Sequence, residues 1–204
     1  MAGFFIFRGQ QTMKLVVGLG NPGRKFERTR HNAGFWWVER LAQATGAALR
    51  EDAKFHGHIA KLAHPAEVWL LRPATYMNES GRAVAAMAAF YRIAPREILV
   101  VHDELDLPPG GVKLKFGGGV AGHNGLKDVA AQLGSNDFWR LRLGIGHPRD
   151  QAASEQEAVD YVLHPPRAEE QSLIDDAITR SLEMWPSMVA GDMETAMLRL
   201  HTKA

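Results

Sequence analysis

Continuous apolar runs alternate with amphipathic segments along the first half of the chain. Short apolar runs cover residues 14–18, 68–72 and 97–102, which is typical of strands buried on both faces. Between them, apolar residues recur at helical spacing after Asn32 and after Ser80, which predicts two amphipathic helices. This alternation predicts an α/β domain with a largely parallel central sheet.

The second half of the chain shows a different pattern. Two segments alternate apolar and basic positions, and they bracket a helical stripe that ends at Gly134. A period of two directs the basic side chains of each segment to one face, so two half-buried strands are predicted. The basic positions are Lys113, Lys115, Arg140 and Arg142. An acidic helix that ends near Trp185 and a short helix around residues 192–200 complete the prediction of a single globular domain, with helices flanking a twisted mixed sheet.

The composition narrows the class of protein. The 204 residues include no cysteine, which excludes disulfides, thiolate metal sites and a cysteine nucleophile. Hydrophobic residues make up 46% and charged residues 23%, values of an ordinary globular protein.

No run approaches the ~20 apolar residues of a membrane span. Residues 1–12 lack the features of a signal peptide, so we expect a cytoplasmic protein without a membrane partner. The domain is expected to cover residues 13–204, after an extension formed by residues 1–12.

Charge is distributed unevenly along the chain. Residues 1–50 carry eight Lys/Arg and two Asp/Glu, a balance of +6, whereas residues 151–204 carry four and ten, a balance of −6. A basic region of this kind favours an anionic partner at one face. Solvated charge without any partner is the alternative that the pattern leaves open.

A glycine-rich turn follows the first predicted strand. Residues 18–23 (GLGNPG) match the G-x-G-x-x-G spacing of dinucleotide sites. In those sites a helix opens at the third glycine, but here no apolar stripe begins before Phe35. A turn that exposes the Asn21 amide is therefore favoured over a nucleotide site, and no cofactor is predicted.

Two His-Asn pairs stand at predicted helix starts beside glycines. These pairs are His31-Asn32 and His123-Asn124. Imidazole suits proton transfer near neutral pH, and a side chain at a helix start can point into a cleft. Asp103 follows the strand at 97–102, where open α/β sheets place groups that contact ligands. A carboxylate there can orient a histidine and stabilise its protonated ring.

Hydrolysis by activated water is the chemistry that these residue types favour. The chain has no G-x-S-x-G motif, so water activated by a base is the expected nucleophile. A metal hydrolase and a solvated acidic loop remain alternatives, although no metal site is predicted because the candidate histidines lack nearby carboxylate or thiolate support. The candidate metal ligands are His56, His58, His64 and the acidic group Asp103, Glu104 and Asp106.

Glycine-rich segments flank the first alternating strand. Residues 107–111 and 117–122 bracket the segment that carries Lys115, and such backbone allows close approach to a large polar ligand. Lys115 and Arg142 are therefore predicted to contact phosphates. A solvent-facing charge is the alternative for each of them.

Six motifs follow one another along about residues 13–200. They are GLGNPG (18–23), TRHNAGF (29–35), PATYMNESG (73–81), HDELDLPPG (102–110), KLKFGGGVAGHNGLK (113–127) and LRLGIGHP (141–148). Together they resemble the bacterial peptidyl-tRNA hydrolase family, for which the combination of TRHNAGF, HDELDLPPG and GHNGLK is highly specific. The resemblance implies a monomeric, metal-independent α/β enzyme that cleaves the ester between a peptide and the 3′-terminal ribose of tRNA.

The resemblance also implies roles for individual residues. It implies His31 as the catalytic base and Asp103 as the carboxylate that orients it. Asn21 and Asn78 would position substrate and water or polarise the scissile carbonyl. The implied contacts to substrate are Met77, His123 and Asn124 on the peptide or CCA side, and Lys115 and Arg142 on the acceptor arm and its 5′-phosphate.

The sequence departs from the family pattern at two positions. Phe26 stands where the family often has tyrosine, so a hydroxyl is lost while an apolar wall of the substrate site is kept. Gln151 stands near a position where relatives carry lysine, which would weaken the phosphate contacts or share them with Arg149. A non-catalytic RNA-binding module that uses the same basic face is the competing hypothesis.

Overall fold

A seven-stranded sheet forms the centre of the molecule in the computed structural model, which describes residues 12–150 and 157–201. The strands are β1 (Leu15–Gly18), β2 (Arg50–Asp52), β3 (Gly57–Leu62), β4 (Val68–Pro73), β5 (Ile98–Glu104), β6 (Val112–Phe116) and β7 (Trp139–Gly144). The helices are α1 (Ala33–Ala44), α2 (Ser80–Tyr91), α3 (Asn124–Leu133), α4 (Ala158–Val162), α5 (Ala168–Glu183), α6 (Trp185–Val189) and α7 (Met193–His201).

The sheet is mixed, with a parallel centre. Its strand order is β2-β3-β4-β1-β5-β7-β6. Strands β4, β1, β5 and β7 run parallel to their neighbours in this central group, whereas β6 at one edge and β3 and β2 at the other are antiparallel. The predicted fold class, a mixed and largely parallel sheet flanked by helices, is confirmed. Within the described ranges, no helix is both long and apolar enough to cross a membrane.

Helices cover both faces of the sheet and create two cores. In β1, Leu15 and Val17 join the core beneath α2 and α3, whereas Val16 joins the core beneath α1, α5, α6 and α7. Both sets of side chains are fully buried. Because alternate residues serve opposite cores, the central strands need apolar residues at every position. This requirement produces the continuous apolar runs in the sequence.

Two glycines allow α1 to start directly against the ends of β1 and β5. A Cβ atom on Gly34 would collide with the carbonyl oxygen of Val101 and the backbone of Leu19, and one on Gly18 would collide with the carbonyl of Gly34. The Leu19 amide donates a 3.0 Å hydrogen bond to the Val101 carbonyl. After Gly23 the chain forms two short 3-10 turns, Arg24–Phe26 and Arg30–Asn32, and α1 begins only at Ala33. The glycine motif therefore serves close packing, as the turn interpretation expects, and lacks the helix that a dinucleotide site needs.

The structure adds elements that the hydrophobic pattern does not predict. Strands β2 and β3 lie at one edge of the sheet, and α4 is a helix of only five residues. Edge strands bury few side chains, so their sequences carry a weak apolar signal. Strand β7 is also more buried than its alternation predicts, because it lies between β5 and β6 and its Arg140 is only 2% exposed.

Candidate active site

The carboxyl ends of the parallel strands open into a cleft of about 600 Å³. Open α/β sheets bind ligands at this edge. Of the site residues predicted from the sequence, all except Phe26 line the cleft. The lining residues that were predicted are Asn21, His31, Met77, Asn78, Asp103, Lys115, His123, Asn124 and Arg142. Residues from three strands, three helix starts and the adjoining loops thus converge on one volume.

Asp103 lies between two histidines at the bottom of this cleft. Its carboxylate is 2.9 Å from Nδ1 of His31 through either oxygen, and 2.9 Å from Nε2 of His123 through Oδ1. His31 belongs to the 3-10 turn Arg30–Asn32 before α1, and His123 caps the start of α3. The ring centroids of the two histidines are 5.1 Å apart. Residues separated by up to 92 positions in sequence therefore form one hydrogen-bonded group.

The hydrogen bonds assign a proton to each ring. Nδ1 of His123 accepts a 3.3 Å hydrogen bond from the Leu126 amide, so its proton is on Nε2 and is donated to Asp103. Neutral His31 donates Nδ1–H to the same carboxylate, which leaves the lone pair on Nε2. Nε2 of His31 has no hydrogen-bond partner among the residues that the structure describes. His31 is therefore the ring with a nitrogen available to take a proton.

Burial and charge set the protonation of this group. Burial lowers the pKa of His31, but the charge and hydrogen bonds of Asp103 raise it by more, so the net pKa lies above its ordinary value. Burial alone would raise the pKa of Asp103, yet the two histidines hold it well below its usual range. Burial and the neighbouring His123 lower the pKa of His102 to about 3, so this third ring stays neutral. Asp103 is thus a permanent carboxylate that favours the protonated form of His31.

Asn21 is held at one wall of the cleft by its own backbone and side chain. Its backbone exchanges hydrogen bonds of 2.8 and 3.0 Å with the carboxamide of Asn32, next to His31. Its Oδ1 accepts a 2.8 Å hydrogen bond from the Met77 amide. Since Oδ1 is the acceptor, the side-chain NH₂ of Asn21 is left to donate into the cleft. Asn78 lines the same wall, but its side chain is exposed and is not held in this way.

Basic side chains form a second wall on β6 and β7. Lys113 pairs with Arg142 and Lys115 with Arg140 in the antiparallel register, which directs all four to the same face. Of these, Lys115, Arg140 and Arg142 line the cleft. Nε of Arg142 binds Glu104 at 2.8 Å, and its side chain keeps 23% exposure. These cations give the wall a positive potential.

Arg140 differs from the other cations on this wall. Its guanidinium donates to the carbonyls of Gly118 and Gly119, in the glycine-rich segment before α3. Arg140 is buried on the polar face of a strand that was predicted to be half-buried, because its guanidinium holds that segment inside the protein. The sequence offered no signal for this contact, since the partners are backbone atoms.

A third wall is apolar and was not predicted. It comprises Leu105 after β5 together with Val159, Val162 and Leu163 from α4 and its end. Val159 is 66% exposed and Leu163 is 38% exposed, so the wall offers apolar surface to a ligand. The only available signal was a short apolar segment between the acidic residues and Pro165, too short to show a helical period.

The two departures from the family pattern have different outcomes. Phe26 does not line the cleft; its ring packs edge-on against Tyr76, which does, with centroids 6.3 Å apart. Phe26 thus supports the rim of the cleft. Gln151 lies outside the described residues, while its neighbour Arg149 lines the cleft and binds Asp106 at 2.8 Å.

Metal binding is a chemical alternative for this site. Within the described part of the chain, the group of three ligand-type side chains close enough to share an ion is His31, Asp103 and His123. The sequence candidates His56, His58 and His64 are not in such a group. The nitrogens that face Asp103 both carry the protons assigned above, and moving the His123 proton to Nδ1 would break its bond with Leu126. The donor set therefore fits a proton network better than a metal centre.

Comparison with known proteins identifies relatives along most of the chain. The family model described as peptidyl-tRNA hydrolase matches residues 15–204. A peptidyl-tRNA hydrolase from Nitrosospira multiformis is 60% identical over 192 residues, which cover 94% of this chain and 98% of the relative. The peptidyl-tRNA hydrolase of an Azoarcus species is 58% identical over 190 residues, covering 93% of this chain and 85% of the relative.

A solved structure supports the same relationship. The crystal structure of peptidyl-tRNA hydrolase from Acinetobacter baumannii superposes with a TM-score of 0.88 at 45% sequence identity. The match covers 95% of this chain and 96% of that chain. Together with the family-model match and the identities above, it establishes that this chain belongs to the peptidyl-tRNA hydrolase family.

Proposed function

We propose that this protein hydrolyses the ester bond of peptidyl-tRNA, with His31 as the general base that activates water. The observation that carries this proposal is the pairing of His31 with Asp103 through Nδ1, which leaves Nε2 of a cleft-lining imidazole without a partner among the described residues. Family membership supplies the reaction, and the geometry supports these roles for the side chains.

The reaction requires modest assistance, because an acyl ester of ribose already has a good leaving group. Nε2 of His31 takes one proton of a water molecule as its oxygen attacks the ester carbonyl carbon. Asp103 stabilises the imidazolium that forms. The imidazolium then donates this proton to the 3′-oxygen of the ribose as the ester bond breaks. The products are a peptide carboxylic acid and a free tRNA hydroxyl, so the base returns to its neutral form.

Asn21 is the better candidate to stabilise the carbonyl oxygen as it gains negative charge. Its NH₂ group is oriented by the Met77 amide on Oδ1, and its backbone is tied to the segment that carries His31. A donor that is already oriented stabilises developing charge without reorganisation. The exposed Asn78 and Asn124 are suited to binding peptide amides beside it.

Different walls of the cleft would contact different parts of the substrate. Lys115 and Arg142 on the basic wall would contact phosphates of the acceptor arm, largely independently of base sequence. The apolar wall around Val159 and Leu163 would contact peptide side chains, with few demands on their identity. Met77 and His123 also line the cleft and would border the ester. We propose that the protein acts on peptidyl-tRNA as a monomer in the cytoplasm.

Release of the N-acetyl-amino acid from N-acetyl-aminoacyl-tRNA, with and without EDTA, tests the proposal. We expect ester cleavage that continues in the presence of the chelator, because the proton network requires no ion. Binding of the tRNA without release would instead support a non-catalytic RNA-binding module. Loss of release on chelation would support a metal-dependent hydrolase.

A further inference from the structure

Arg30, the residue immediately before His31, is an unusually buried cation. It is 4% exposed, and its guanidinium lies between the turn that carries His31 and the region where α4 ends and α5 begins. NH1 donates 3.2 Å hydrogen bonds to the carbonyls of Tyr161 and His164. NH2 donates at 2.8 Å to Glu170, which is also buried.

This arrangement holds the end of α4. The last carbonyls of a helix lack partners within the helix, and a cation there is favoured by the helix dipole. The guanidinium of Arg30 also lies over the ring of Tyr161, 3.9 Å from its centroid. The Tyr161 hydroxyl donates a 2.9 Å hydrogen bond to the Ile145 carbonyl, directly after β7. Helix α4 is thus tied both to the turn of His31 and to the edge of the sheet.

Glu170 lies in α5 and connects Arg30 to that helix. It accepts a 2.9 Å hydrogen bond from the Arg167 amide at the start of α5, besides its ion pair with Arg30. A buried carboxylate and guanidinium are stable only when both are paired in a fixed geometry. Lysine at position 30 would keep the charge, but its single ammonium cannot reproduce the planar set of donors that reaches Glu170 and two carbonyls.

The position of α4 matters because this helix supplies the apolar wall of the cleft. Val159, Val162 and Leu163 line the cleft, and Tyr161 and His164 are their immediate neighbours. The backbone amide of Arg30 itself donates a 3.1 Å hydrogen bond to the His164 carbonyl. The wall that contacts one side of the substrate is therefore linked directly to the residue before the base.

We propose that Arg30 is a positioning residue for ester hydrolysis, which sets the apolar wall of α4 at a fixed distance from His31. This inference rests on the proposed function. The wall holds the peptide, His31 activates the water, and the Arg30–Glu170 contact keeps the scissile carbonyl aligned with that water. Misplacement of reacting groups by about 1 Å can lower a rate on the order of 10²-fold, which is the size of effect that such a residue can control.

Kinetics of Arg30→Lys and Glu170→Gln test the inference, with Arg40→Lys as a matched control. Arg40 pairs with Asp175 at 2.6 Å and also joins α1 to α5, but it does not reach α4 or line the cleft. We expect kcat on N-acetyl-aminoacyl-tRNA to fall roughly 10²-fold for Arg30→Lys, and in the same direction for Glu170→Gln. Arg40→Lys should retain the wild-type kcat. Rates are measured well below the melting temperature of each variant.

Two further measurements separate positioning from other roles. The affinity for deacylated tRNA and the pH at which kcat/KM reaches half its plateau should stay at wild-type values, because the basic wall and the His31–Asp103 pair are unchanged. A lower melting temperature with wild-type kcat would overturn the inference in favour of a purely structural role. A shifted pH profile would overturn it in favour of direct tuning of the base. An inactive wild-type enzyme would instead refute the proposed function itself.

Discussion

The turns before α1 and before α3 present the same dipeptide to the same carboxylate, yet they place it in different surroundings. His31 and its neighbours Arg30 and Asn32 are buried and cross-linked to distant parts of the chain. His123 follows a glycine-rich segment and precedes an exposed Asn124. Both rings bind Asp103 at 2.9 Å. A shared sequence motif therefore does not imply a shared role.

The difference lies in how many ring nitrogens each histidine uses inside the protein. His123 uses both, because Nδ1 accepts from the Leu126 amide while Nε2 donates to Asp103. His31 uses only Nδ1 among the described contacts, so Nε2 can accept a proton. The first turn supplies the proposed base, and the second binds the carboxylate and caps a helix. The hydrogen bonds that each ring makes, and not its residue type, therefore distinguish the proposed base from the second histidine.

The largest expected effect comes from removing each histidine in turn. His31→Ala should lower kcat by about 10²–10⁴-fold, because the proton acceptor is lost, with nearly unchanged affinity for tRNA. His123→Ala should cause a clearly smaller loss, since Asp103 still binds His31. Single-turnover release of peptide, together with tRNA binding, measures both variants. Equal losses in kcat would contradict the assignment of different roles to the two turns.

Removing the shared carboxylate should change the pH dependence of the reaction. The base must be neutral, so kcat/KM should rise with pH and fall as pH drops through the pKa of His31, which Asp103 holds above about 6.5. In Asp103→Asn the raising charge is gone while burial still lowers the pKa, so the inflection should move to lower pH. The plateau rate should also fall, roughly 10²-fold, because the imidazolium loses its stabilising charge. The pH profiles of the wild type and the variant provide the measurement, and an unmoved inflection would argue against His31 as the titrating base.

A smaller effect, on the salt dependence of KM, is expected from removing basic side chains of the wall on β6 and β7. Lys115→Ala should raise KM and flatten its dependence on salt by roughly one unit in the log–log slope, as for one lost phosphate contact. Arg142→Ala should act in the same direction but less strongly, because Glu104 already neutralises part of its charge. Lys61 lies on β3 and pairs with Glu67. Lys61→Ala is therefore the control and should leave the slope unchanged. Salt titrations of KM decide the question, and equal slopes in all variants would refute the phosphate contacts.

The central part of the fold could be predicted because its physical signal is local. Strands buried on both faces require unbroken apolar runs, and amphipathic helices require a repeat near 3.6 residues, so β1, β4, β5 and the longer helices are visible in the sequence. Strand β3 (GHIAKL) lies near an edge and has polar positions, so its signal is weak. The short α4 contains little more than one turn, which is too short to establish a period.

The candidate site was predictable to the extent that residue type suggests chemistry. Histidines at helix starts and an acid at the end of a strand indicated His31, His123 and Asp103, and the resemblance to a family added Asn21 and Asn78. The buried roles of Arg30 and Arg140 were not predictable, because their partners are mainly backbone carbonyls and a carboxylate 140 positions away. Arginine in a sequence looks the same whether it faces solvent or lies inside.

The sequence by itself determined the central strands and the longer helices, the absence of cysteine chemistry, and the family to which its motifs point. These properties depend on local periodicity and on residue identity, which can be read from neighbouring letters. Only the tertiary structure decided which histidine keeps a ring nitrogen that can accept a proton, and which wall of the cleft is apolar. It also decided that the side-chain NH₂ of Asn21 can donate into the cleft. Those properties depend on hydrogen bonds between groups that are distant along the chain, and such bonds exist only after the sheet has brought the strand ends together.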